Sequence, residues 1–167
     1  MTTSTTRTYI VRAIDPHVVA QLRIGDDAGN APRLVVDDEG GSPLRCCLCL
    51  SRPGEHLLLT SYAPVRRWAQ VTGAQPGPYD ELGPVFIHAE PCAESVGEDY
   101  PEEMRGQPRV LRGYGADGRI VDGRVVDEGE QPDAKLQDLL ADPRVAVVHA
   151  RALVFGCFTF AIDRVTV

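Results

Sequence analysis

Arg109-Val110-Leu111-Arg112-Gly113-Tyr114-Gly115-Ala116-Asp117-Gly118-Arg119-Ile120-Val121-Asp122-Gly123-Arg124-Val125-Val126 is the stretch that decides the fold class. Residues 109–114 predict a strand, Asp117-Gly118 a tight turn, and residues 119–121 the returning strand. Asp122-Gly123 predicts another turn before Arg124-Val125-Val126. Asp-Gly between apolar runs is a strong hairpin signal, because both residues tolerate the positive φ such turns need. Strands joined by such short turns run antiparallel.

The same grammar extends in both directions. Residues 8–14 are β-branched and aromatic and end at Asp15-Pro16, which predicts a strand. Val18, Val19 and Leu22 share one face of a short helix over residues 18–24. Residues 25–32 read as a loop, and Leu34-Val35-Val36 as a strand broken by Gly40-Gly41-Ser42-Pro43. Residues 44–50 and 56–62 are apolar runs flanking Pro53-Gly54, a pair that sets φ and accepts positive φ in turn, so they predict a hairpin. Residues 84–88 read as a buried strand. Residues 90–103 are acidic and loop-like, with one helical turn from Pro101. The clearest helix is residues 133–141, with Leu136, Leu139 and Leu140 on one face, Asp133 as its cap and Asp142-Pro143 as its stop. Residues 145–149 and 154–165 predict the last two strands. The sum is an α+β chain with a mainly antiparallel sheet of seven to nine strands and one or two helices, expected as a single domain over residues 1–167.

Composition narrows the function classes. The chain has 167 residues and a net charge of −7, which argues against nucleic acid, whose phosphates select basic faces. No apolar run approaches the roughly 20 residues of a membrane-spanning helix. The start, Met1 to Thr6, lacks the charged-then-apolar layout of a secretory leader, so a cytoplasmic location is expected. Five cysteines in a reducing compartment read as free thiols, metal ligands or redox groups, and an odd number cannot pair completely.

Several segments together resemble a bacterial family known as domain of unknown function 1203. They are Cys46 leading into Leu50, then Pro53-Gly54-Glu55 with Leu58-Leu59 and Tyr62. Pro78-Tyr79 with Val85-Phe86-Ile87 follows, then residues 111–118 with Val121-Asp122. The last are Asp142-Pro143-Arg144-Val145, His149, Gly156-Cys157-Phe158 and Ile162-Asp163-Arg164. The resemblance covers about residues 44–164 and carries no assigned activity. It implies an arginine after Cys46, where this chain has Cys47. Cys49 and Cys92 depart from the pattern as well, whereas Cys46 and Cys157 fit it.

Three chemistries compete for the remaining residues. Cys46-x-x-Cys49 and His88-x-x-x-Cys92 have the spacing of zinc ligands. A strand over residues 44–50 would send Cys46 and Cys49 to opposite faces, which disfavours zinc and favours free thiols packed as small apolar groups. A thiol enzyme would use Cys157 or Cys46 as nucleophile with His149 or His88 as base, since an activated thiol needs an imidazole within hydrogen-bond reach. Alternation along residues 147–151 places Val147, His149 and Arg151 on one face, where His149 and Arg151 could frame an anion. The leading expectation is a binding or accessory module for a small anionic ligand or a protein partner, lined by His149, Arg151 and the Cys46 and Cys157 regions. Open sheet edges also suit an isologous homodimer. The acidic residues Glu90, Glu94, Glu98, Asp99, Glu102 and Glu103 lack the spacing of a calcium loop and read as solvated charge. Arg66-Arg67-Trp68 could grip an anion, though it is a single triplet in an acidic chain.

Overall fold

The computed structural model describes residues 7–92 and 97–166. Within them lie eight strands and three α-helices: β1 (Tyr9–Arg12), α1 (Pro16–Leu22), β2 (Arg33–Asp37), β3 (Glu55–Tyr62), α2 (Pro64–Thr72), β4 (Gly83–His88), β5 (Arg109–Tyr114), β6 (Ile120–Val126), α3 (Asp133–Ala141), β7 (Val147–Ala152) and β8 (Phe158–Arg164). The α+β class and antiparallel pairing agree with the sequence. The strands form two sheets, however, ordered β1-β8-β7-β5-β6 and β2-β3-β4, so the single sheet of seven to nine strands is corrected to five plus three.

Three local expectations also change. Asp117-Gly118 does make a turn, with Gly118 at φ 89°. Asp122-Gly123 does not: Gly123 pairs with Arg112 inside an unbroken β6. Its nearest neighbour is the Leu111 carbonyl, 3.2 Å from where a Cβ would stand, so a glycine suits the crowded ladder there. Asp133 does not cap α3. Its carboxylate accepts from Tyr9 Oη at 2.6 Å and from Arg105 at 2.9 Å, tying the helix start to β1 instead. Helix α2 is an addition to the expected one or two. Pro64 opens it and Gly73 closes it in the left-handed conformation, the usual asymmetry of helix ends.

β7 is the middle strand of the larger sheet and is buried from Val147 to Arg151. One face, with Leu111, Val148, Ala150, Phe160 and Ile162, packs on Leu136 and Leu139 of α3. The opposite face carries Tyr114, Val147 and His149. Tyr62 and Phe158, with ring centroids 5.3 Å apart, join the two sheets. The smaller sheet turns Val85 and Ile87 inward to Val19 and Leu22 of α1. Its other face, with Leu57 and Phe86, is covered by Leu44 and Cys47.

Candidate metal centre

Residues 44–50 form no strand. Bridges Pro43–Leu50 and Leu44–Phe86 pin the segment to itself and to β4. Within it, Leu44 N donates to the Cys49 carbonyl at 2.9 Å and Leu48 N to the Leu44 carbonyl at 3.0 Å. Leu48 has φ 60°, the one positive φ outside glycine among the described residues. A left-handed backbone costs such a residue roughly 1–2 kcal/mol. Burying its side chain in the core under α3 returns roughly 1.5–3 kcal/mol, so packing sustains the turn. The reversal separates neighbours: Leu48 enters the large core, while Cys46 and Cys47 turn toward β4. The alternation that disfavoured a metal therefore does not apply.

His88 ends β4 opposite Leu57. Arg23 of the segment after α1 donates to the carbonyls of His88 and Glu90 at 3.2 and 3.1 Å, holding the chain that leads to Cys92. Cys46, Cys47 and Cys92 sulfurs and His88 Nδ1 then lie within 4.8 Å of one another. His88 Nδ1 is 3.6 Å from Cys46 Sγ, 3.8 Å from Cys47 Sγ and 2.9 Å from Cys92 Sγ. Cys46 and Cys92 sulfurs are 3.2 Å apart. Zinc bonds of about 2.3 Å to sulfur and 2.0–2.1 Å to nitrogen imply tetrahedron edges of about 3.4–3.8 Å, which these separations bracket. The far imidazole nitrogen, Nε2, lies 3.4 Å from Glu55 Oε1. A carboxylate there fixes the ring and leaves Nδ1 as the ligand atom.

The side chains that converge differ by one residue from the set whose spacing suggested zinc. Cys47 joins the cluster in place of Cys49, whose sulfur contacts the Cys47 carbonyl at 3.7 Å. Adjacent cysteines lack the familiar spacing of metal pairs, so the sequence offered no cue for Cys47. Hydrogen bonds from Cys47, the His88 N–H and Cys92 hold the Cys46 thiol well below its ordinary range. Cys47 moves up because it donates to Cys46 and is buried. Burial and the same partner push Cys92 up to about 12. The arrangement favours a thiolate at Cys46 beside two thiols and an imidazole.

The other sequence-predicted residues lie elsewhere. His149 is 2 % exposed between Tyr114 and Phe158, with ring centroids at 4.8 and 5.1 Å. Burial, then the nearby Arg151 and Arg112, lowers its pKa to about 3, so it is neutral. Cys157 is not brought onto it: His149 stands opposite Ala161, and Cys157 Sγ contacts the Phe155 carbonyl at 3.7 Å. Arg151 lies on the His149 face as expected, but that face is interior. It donates to Glu81 at 2.6 Å and to the Gly156 carbonyl at 2.8 Å, and Glu81 also binds Arg112 at 2.9 Å. Of the acidic stretch, Glu94 lies outside the described residues, as does the whole of residues 1–6. Glu98 and Asp99 pair with Arg7, Glu102 with Arg105, and Glu103 accepts from Leu50 N. Arg66 and Arg67 are occupied by Asp80 and Asp27. No helix among the described residues is long and apolar enough to cross a membrane.

The cluster, its carboxylate and both sheets that frame it lie within one stretch of sequence from the 43–50 turn to β8, joined by β1, α1 and β2 from outside it. Comparison with curated proteins and with solved structures returned no match. Residues 41–164, more than half of the chain, match the family model described as "Protein of unknown function (DUF1203)", and the chain belongs to that family.

Proposed function

We propose that the chain is a zinc module in which Cys46, Cys47, Cys92 and His88 hold one structural zinc ion. The convergence of four soft and borderline ligand atoms within 4.8 Å, backed by Glu55, carries this reading. Four protein ligands complete a tetrahedron and leave no position for a substrate, which marks a structural rather than a catalytic site. The metal would tie the 43–50 turn and the Cys92 segment to the end of β4. Binding would also release the protons of the Cys47 and Cys92 thiols to solvent, since zinc is held by thiolates.

The alternatives have weaker support. A neutral, enclosed His149 offers an anion no charge, and Arg151 already spends its charge on Glu81. A thiol enzyme built on Cys157 lacks the adjacent base it needs, and Cys46 has its imidazole inside a cluster suited to metal. The test is metal content of the full chain purified under reducing conditions, followed by cobalt substitution. One zinc per chain and the absorption of tetrahedral cobalt bound to thiolates are expected. A chain that takes up neither metal at micromolar concentration overturns the reading.

A further inference from the structure

Two of the four ligands face an opening and two do not. Cys46 and Cys92 line a groove of about 770 Å³ between β1, α1 and residues 97–98, with Ile14, Val19 and Pro91 on its walls. Cys47 is 5 % exposed and packs on Leu44 and Leu57. His88 is engaged by Glu55. The sulfurs of the pair that faces the groove are in contact at 3.2 Å. A disulfide requires about 2.05 Å, so closure needs an approach of little more than 1 Å. Cys92 can supply it, because it lies beyond the end of β4 and has no ladder partner among the described residues. A bond between the adjacent Cys46 and Cys47 would instead have to form within one strained ring.

We propose that the site is a redox-released zinc centre, in which a peroxide entering the groove oxidises Cys46 and Cys92 to a disulfide and frees the metal. This rests on the zinc reading above. One thiolate of the pair attacks a peroxide oxygen, the O–O bond breaks, and hydroxide leaves from a cysteine sulfenic acid. The second thiolate attacks that sulfur, the S–S bond forms, the S–O bond breaks, and a second hydroxide leaves. Two sulfurs lose two electrons in total, the peroxide gains them, and two protons from solvent convert both hydroxides to water. Zinc then keeps Cys47 and His88 alone and departs. A thiol reductant reverses the step and restores four ligands.

The experiment treats the zinc-loaded full chain with hydrogen peroxide, follows zinc with a chromophoric chelator, and maps thiols by differential alkylation and peptide mass analysis. A Cys157→Ser variant, which removes a thiol outside the cluster, and the metal-free chain are run in parallel. The expected result is zinc release in step with a Cys46–Cys92 disulfide, unchanged in Cys157→Ser and reversed by reductant. A disulfide through Cys47 or Cys49, sulfinic acid without a disulfide, or thiols that stay reduced while free cysteine is consumed would overturn the proposal. The metal-free arm separates the two readings. A chain that never takes zinc yet forms the Cys46–Cys92 bond sinks the zinc reading, and release with it, while a chain that holds zinc without forming that bond sinks only the switch.

Discussion

Two polar clusters flank the sheets, and they differ in which groups they bring together. On the larger sheet, Arg112 and Arg151 converge on the Glu81 carboxylate, so donors meet an acceptor of opposite charge. On the outer side of the smaller sheet, three sulfurs and an imidazole nitrogen converge on one another. In the first cluster one carboxylate binds both guanidinium groups, although the buried Arg151 Nε has no hydrogen-bond partner. The second brings lone pairs together, an arrangement that hydrogen bonds satisfy only in part and a soft cation satisfies fully. Opposite charges meet in the first cluster, and potential ligand atoms meet in the second, which is the observation behind the zinc proposal.

The largest expected effect breaks the comparison if it fails. Cys47→Ser should abolish stoichiometric zinc binding, whereas Cys49→Ser should leave it intact, read by metal titration against a competing chelator. The reverse outcome would restore the ligand set expected from spacing. Next, zinc at a thousandfold excess over its dissociation constant should add about 4 kcal/mol of stability, read as a rise in Tm of roughly 10 °C by calorimetry. No shift would mean that the cluster binds nothing tightly. Glu81→Gln tests the other cluster. Removing one partner of a buried pair costs roughly 3–5 kcal/mol, but Glu81 is 43 % exposed, so about 2 kcal/mol is expected in denaturant unfolding, with zinc affinity unchanged.

Acid separates the regions further. His149 binds its proton near pH 3 when folded and near its ordinary value of 6.5 when unfolded. Between these limits the unfolded chain holds the extra proton, so stability falls as pH falls, by up to about 1.4 kcal/mol per unit. Above the unfolded value the penalty vanishes. His149→Phe should flatten that slope in zinc-free protein, and an unchanged slope would show that the ring is not the acid-sensitive group. The smallest effect is expected from Glu55→Gln. It should weaken zinc about tenfold by loosening the His88 ring while leaving stoichiometry alone.

How much could be read in advance varied with how local the cause was. Helix α3 was legible because Leu136, Leu139 and Leu140 report their own periodicity and Asp142 precedes a proline. Helix α2 carried equally local signals in Pro64 and Gly73, but the sequence reading assigned no element between Tyr62 and Gln75. Two Asp-Gly pairs looked alike, but only Gly118 turns, because Gly123 is claimed by pairing with Arg112. Residues 44–50 were misread because an apolar run does not reveal one left-handed residue in its middle.

Strand and helix content, the antiparallel habit and three of the four cluster members were present in the sequence, since each depends on residue type and near neighbours. Tertiary structure alone decided the division into two sheets, the burial of His149 and the choice of Cys47 over Cys49. Those outcomes depend on which distant segments meet. The Leu48 turn brings Cys46 and Cys47 to the end of β4, the chain held by Arg23 returns Cys92 beside them, and no spacing rule along the chain encodes that meeting.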